Sequence, residues 1–156
     1  MTIDRHRIAL ALTGLTIGTL VYLTARSSTT YVAWPFHGLP LPQMKAGLIA
    51  GCLPTFCHMF AFSLISGELL RPWAWAARAS FVAWALLETA VEIGQSKAIA
   101  LAIQSKLKSS SGDAFSGLIA DYFVRSTFDY FDLLAVALGG IAAWLVYAST
   151  ADEESR

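Results

Sequence analysis

Apolar residues gather in four long runs along the chain. The runs cover residues 8–25, 48–70, 76–95 and 129–148, and shorter stretches rich in polar, basic and proline residues separate them. A membrane-crossing helix needs about 20 predominantly apolar residues, and each run approaches that length. The pattern predicts an all-α protein in which one domain, residues 1–156, forms a four-helix transmembrane bundle.

The first two runs each leave an alternative open. Basic residues at positions 5–7 precede the first run, as in a signal peptide or an N-terminal membrane helix, and because no Ala-x-Ala cleavage sequence follows, we expect a retained helix. The second run contains Pro54, and proline is best tolerated in a helix's first turn. The regular helix therefore begins either near position 48 or at Pro54, with residues 46–53 as a kinked or re-entrant lead-in. The second choice moves His58 from mid-membrane towards a surface.

The connection between the third and fourth runs is long and contains a further predicted helix. Between Lys97 and Lys108, lysines flank an apolar centre that is too short to span a bilayer, which is typical of a helix lying along the membrane surface. Serines and a glycine at positions 109–112 then predict a flexible turn.

The composition supports an integral membrane protein. Apolar residues make up 56% of the chain and charged residues only 14%, and the mean hydropathy is +0.56. The formal net charge is zero, so no basic field favours binding to nucleic acid. Membrane lipids are the predicted partners.

Ionisable and amide side chains recur near the ends of the apolar runs. Because consecutive spans run antiparallel, the ends of the first and third helices and the starts of the second and fourth lie on one membrane side. A carboxylate in hydrocarbon costs about 2.5–3.5 kcal/mol, so such groups usually face a protein interior or a wet cavity. We therefore predict one polar, ligand-binding pocket formed by Arg26, His58, Glu88, Glu92, Gln95, Arg125, Asp129 and Asp132.

The spacing of these residues favours two facing stripes. Glu88, Glu92 and Gln95 lie four and three positions apart, and Asp129 and Asp132 repeat the three-residue step, so each set lies on one helical face. Paired carboxylates and an imidazole suit general acid–base chemistry, for which the candidates are His58, Glu92 and Asp132. Carboxylates and imidazole also bind divalent cations, but the set has no recognised metal-site spacing. No metal and no cofactor are predicted.

Each candidate also has a structural interpretation. The two glutamates and the histidine suit buried hydrogen-bonding groups that fix helix packing. The arginines suit interfacial anchors whose charged heads reach the lipid head groups. The two aspartates suit caps at the N-terminus of the fourth helix.

Several segments together resemble the VanZ-like family of small bacterial membrane proteins. Residues 54–62 (PTFCHMFAF) resemble its histidine segment at the start of the second helix, and residues 92–95 (EIGQ) its Glu-x-x-Gln at the end of the third. Residues 125–135 are similar to its arginine-to-aspartate segment, and Gly139 matches a glycine seven residues after the aspartate. The chain departs from the family at Val136, where asparagine is common, and in its much longer connection from helix three to four.

The resemblance implies a multi-pass protein of the bacterial inner membrane with cytoplasmic termini and a polar pocket facing the extracytoplasmic side. We expect that pocket to engage a lipid or glycan-lipid head group, with Arg26 and Arg125 holding an anion and His58, Glu92 and Asp132 orienting it or exchanging protons. The alternative is a non-catalytic accessory subunit of a larger membrane complex that docks through residues 96–128. Ion translocation is disfavoured because the candidates cluster towards one side.

Overall fold

A computed structural model describes residues 3–25, 47–110 and 113–153. Within these ranges the chain forms six α-helices and no strand, which confirms the all-α prediction. The helices are α1 (Arg5–Ala25), α2 (Leu48–Leu69), α3 (Ala74–Gly94), α4 (Lys97–Ser110), α5 (Ala114–Arg125) and α6 (Tyr130–Glu153). The loop between α1 and α2, which includes Arg26, lies outside the described residues.

Three helices in the described part of the chain are long and apolar enough to cross a membrane: α1, α2 and α6. Each reaches about 30 Å at 1.5 Å per residue, the thickness of a bilayer's hydrocarbon core. These helices indicate a membrane protein. Helix α3 has 21 residues, three of which are charged (Arg78, Glu88 and Glu92), and it is not among these candidate spans. The predicted four-span bundle is therefore not confirmed.

Helix α2 lies at the centre and packs against α1, α3 and α6. Small residues let the helices approach closely, as is common between membrane helices. A Cβ at Gly18 of α1 would lie 2.8 Å from the Cβ of Cys57, and one at Gly139 of α6 would lie 2.7 Å from the Phe56 carbonyl oxygen. Both glycines are therefore required by the packing on α2.

Helix α2 begins at Leu48 and contains Pro54 as a buried interior residue. The alternative in which the regular helix begins at Pro54 is therefore wrong, and residues 48–53 are helical. Proline is tolerated inside membrane helices because neighbouring helices and local adjustments can compensate for its missing hydrogen bond. His58 consequently lies about halfway along α2.

Helices α4 and α5 form a hairpin that packs against the C-terminal end of α3. The helix predicted at Lys97–Lys108 is confirmed as α4, and its place along the membrane surface stays a prediction. Helix α5 was not predicted. Asp113 begins α5 by accepting a hydrogen bond from the Ser116 backbone N–H, at 2.7 Å. The aspartate cap, followed by apolar residues at helical spacing, is the sequence signal for this helix.

Candidate functional site

The antiparallel helices bring polar side chains together at two opposite ends of the bundle. At one end, which we name the Arg7 end, Arg7 of α1 meets Glu68 of α2 and Tyr147 of α6. At the other, the Asp132 end, Thr55 of α2 meets Asp132 of α6. Helix α3 begins at the Arg7 end and finishes at the Asp132 end.

Buried polar groups form the Asp132 end. The Thr55 hydroxyl donates a hydrogen bond to Oδ1 of Asp132, at 3.3 Å. Asp132 and Glu92 are only 5% and 6% exposed, and Gln95 is also buried. The Gln95 amide donates to the Tyr122 hydroxyl, at 3.3 Å, and so joins the end of α3 to α5. Carboxylates, an amide and hydroxyl groups are thus held at the ends of three helices and on α5.

His58 of α2 and Glu88 of α3 are both half-buried. The His58 ring centroid is 5.8 Å from that of Phe62, and Phe62 stacks on Trp84 at 4.9 Å. The Trp84 indole also donates to the Ser66 hydroxyl, at 2.8 Å. These contacts fix an antiparallel register in which Glu88, one turn beyond Trp84, lies at the level of His58, one turn before Phe62.

The remaining predicted site residues differ in position. Arg125 is 64% exposed, and its guanidinium lies 3.6 Å from the Asp121 carboxylate on the same helix. Asp129 is exposed and caps α6 by accepting a hydrogen bond from the Phe131 backbone N–H, at 3.0 Å. With Arg26 outside the described residues, the anion-binding role of the two arginines stays a prediction.

A cavity of about 510 Å³ opens beside the Asp132 end. It lies between the α3–α4 turn and the connection from α5 to α6, and its polar lining is Gln95, Ser96, Lys97, Ser126 and Thr127. Ala100, Leu101 and Phe128 make another part of its wall apolar. No three His, Cys, Asp or Glu side chains among the described residues gather as metal ligands. A lining that is partly polar and partly apolar suits an organic ligand with a polar part and a hydrocarbon part.

The Arg7 end contains a buried ion pair that the sequence analysis missed. Arg7 and Glu68 are 1% and 0% exposed, and a guanidinium nitrogen of Arg7 lies 2.7 Å from Oε2 of Glu68. Oε1 of Glu68 accepts a hydrogen bond from the Asp4 backbone N–H at 2.7 Å and lies 3.4 Å from the Arg71 guanidinium. Every oxygen of this carboxylate therefore has a donor.

Arg7 also reaches α6. Its second guanidinium nitrogen donates to the Tyr147 carbonyl oxygen at 3.2 Å, and the guanidinium carbon lies 4.5 Å from the centre of the Tyr147 ring. The same alternation of helix direction that predicted the Asp132 end would have paired Arg7 with Glu68. By themselves, the basic residues at positions 5–7 indicate only the flank of a membrane helix.

Comparisons of the chain with protein-family models, with curated proteins and with solved structures find no match. The likeness to the VanZ-like family therefore depends on the order and spacing of this chain's own segments, and it stays a prediction.

Proposed function

We propose that this protein is a VanZ-like integral membrane protein of the bacterial inner membrane that binds a lipid or glycan-lipid head group at the Asp132 end. The observation that carries the proposal is the cavity beside that end, in which Gln95 and Lys97 share one wall. Lysine binds phosphate as a point charge. Amide and hydroxyl groups form hydrogen bonds with head-group hydroxyls or amines.

The buried acids of the Asp132 end lie within four positions of the cavity lining in the sequence. Glu92 lies three residues before Gln95, and Asp132 lies four residues after Phe128, another residue of the lining. In this proposal Lys97 holds the phosphate together with Arg26 and Arg125. His58, Glu92 and Asp132 orient the remainder of the head group or exchange protons with it. No chemical turnover is part of the proposal.

The proposal includes α3 as a fourth span. Helix α2 ends at the Arg7 end and α6 begins at the Asp132 end, so the intervening chain must return across the bundle. Phe81 of α3 lies against Gly67 of α2, and Trp84 stacks on Phe62 further along the same helix. The VanZ-like pattern places both termini, and with them the Arg7 end, in the cytoplasm. The cavity then faces the extracytoplasmic leaflet.

Retention of an added lipid tests the head-group site. The protein is extracted in mild detergent, phosphatidylglycerol is added, and bound lipid is measured by native mass spectrometry. Lys97→Ala should reduce binding about tenfold or more, since a hydrogen bond to a charged group contributes about 1.5–3 kcal/mol. Lys106→Ala is the matched control, because Lys106 is exposed on the same helix outside the cavity lining. Equal binding to wild type and Lys97→Ala would contradict the proposal.

An accessory subunit is the second candidate function, and the outer face of α5 favours it. Phe115 is 71% exposed on this helix, and Leu118 is 51% exposed one turn later. Exposed apolar groups on a hairpin outside the main bundle suit contact with another membrane protein. A stoichiometric protein partner in the same mass spectra, without bound lipid, would favour this reading.

A further inference from the structure

An apolar groove runs along α5 next to the cavity. The groove is shallow and open, has a volume of about 480 Å³ and is lined by Leu118, Ile119, Tyr122 and Phe123. Its walls are held in place by α3, since a Cβ on Gly94 would lie 2.6 Å from the Phe123 ring and the Gln95 amide donates to the Tyr122 hydroxyl. The groove is therefore preformed.

Residues that line the groove are direct neighbours of residues that line the cavity. Phe123 lines the groove, and the next residue of α5, Val124, lines the cavity. Gln95 lines the cavity and is hydrogen-bonded to Tyr122, a residue of the groove. The linings of the groove and of the cavity are thus in direct contact through this hydrogen bond.

The position of the hairpin favours a lipid chain in the groove. Helix α5 has 12 residues and extends about 18 Å, too short to cross a hydrocarbon core of about 30 Å. Lys97 and Lys106 of α4 are exposed, while α5 presents large apolar side chains. Such a hairpin suits the boundary between head groups and acyl chains.

We propose that the α5 groove binds an acyl chain of the phospholipid whose head group occupies the adjacent cavity. This inference rests on the proposed head-group site and adds the class of ligand, a long-chain phospholipid with an anionic phosphate near Lys97. Tyr122 joins the two parts, because its hydroxyl meets Gln95 and its ring lines the groove.

Two lipids that differ only in the length of their acyl chains test the groove separately from the head-group site. Binding of dihexanoyl and dipalmitoyl phosphatidylglycerol, which share a head group, is measured by native mass spectrometry on wild type, Leu118→Ser and Phe115→Ser. Leu118 is half exposed, so its replacement leaves the helix core intact, and Phe115 is an exposed apolar control outside the groove lining. Wild type should bind the long-chain lipid about tenfold more tightly or better, Leu118→Ser should lose that preference, and Phe115→Ser should keep it.

Each other outcome has a separate meaning. Equal affinity of wild type for both lipids, or equal loss of both in Leu118→Ser, overturns the acyl-chain groove while the head-group site stands. If the wild type binds neither lipid, both the proposed function and the acyl-chain groove are overturned. Loss of a co-purified protein from Leu118→Ser, with unchanged lipid binding, replaces the acyl chain by a protein partner.

Discussion

The two ends of the bundle place acidic side chains in different surroundings. At the Arg7 end, the carboxylates of Asp4 and Glu68 meet the guanidinium groups of Arg7 and Arg71 at distances of 2.7–3.4 Å. At the Asp132 end, the partners of the buried polar groups include the hydroxyls of Thr55 and Tyr122, and a cavity adjoins them.

The difference separates a structural role from a ligand-binding role. A buried ion pair whose charges balance and whose oxygens all have donors ties helices together, and no empty space beside it is needed. Acids within membrane segments commonly mark functional sites, and at the Asp132 end the buried Glu92 lies one turn before Gln95, which lines the cavity. We therefore propose a stabilising role for the Arg7 end and, following the proposed function, a binding role for the Asp132 end.

The largest effect should come from breaking the ion pair. Glu68→Ala leaves Arg7 buried without its main counter-ion, and we expect a loss of about 3–5 kcal/mol in the free energy of unfolding. Chemical unfolding in detergent measures it. The double variant Arg7→Met, Glu68→Leu should recover most of the loss, since packed apolar residues often replace a buried ion pair well. A loss below about 1 kcal/mol for Glu68→Ala would show that the pair does not stabilise the bundle.

The packing of α6 against α2 extends between the two ends of the bundle. Substitution at this interface should have the next largest effect on the free energy of unfolding. An added Cβ in Gly139→Ala would lie 2.7 Å from the Phe56 backbone oxygen, which cannot move alone. We expect destabilisation by about 1–3 kcal/mol. Gly51→Ala is the matched control, because nothing lies within 4 Å of its added Cβ. The control should be neutral or stabilising by up to about 1 kcal/mol, and equal destabilisation by both would argue against the close approach.

The cap of α6 distinguishes the two aspartates of the Asp132 end. Asp129 accepts a backbone hydrogen bond, so Asp129→Ala should cost about 0.5–2 kcal/mol, whereas Asp129→Asn keeps the acceptor and should cost less. Thermal unfolding measures both variants. Lipid binding should be unchanged in Asp129→Asn, and its loss would restore Asp129 to the ligand site.

The smallest effect on stability is expected at Arg125. Its ion pair with Asp121 is exposed and of the i,i+4 type, so Arg125→Ala should change the free energy of unfolding by no more than about 0.5 kcal/mol. Phosphatidylglycerol binding is then a direct test of its predicted anion-binding role. Binding within twofold of wild type, about 0.4 kcal/mol, would remove Arg125 from the site.

The sequence predicts the helices more fully than their contacts. Runs of apolar residues locate α1, α2 and α6 because length and hydropathy are local properties. The same criterion does not select α3, which carries Arg78, Glu88 and Glu92 within its 21 residues. Helix α5 was missed because its amphipathic pattern is short and follows a turn.

The candidate site shows the same division between local and long-range information. Alternating helix direction brought Asp132 correctly to the start of α2, where Thr55 contacts it. Helix direction alone does not predict that Lys97 lines the cavity or that Gln95 is hydrogen-bonded to Tyr122. Both contacts depend on how the α4–α5 hairpin packs against the end of α3. Glu68 was overlooked because one acid in an apolar run reveals no partner until Arg7, far away in sequence, is placed beside it.

One paired substitution tests the assignment of the two ends most directly. Glu68→Gln and Glu92→Gln each keep the side-chain size and an acceptor while removing the charge. Thermal unfolding and phosphatidylglycerol binding are measured on both. We predict that Glu68→Gln unfolds at a lower temperature and keeps its lipid binding while folded, whereas Glu92→Gln loses about tenfold or more in lipid binding and unfolds at or above the wild-type temperature. Wild-type lipid binding in Glu92→Gln, or an unchanged unfolding temperature in Glu68→Gln, would contradict the assignment.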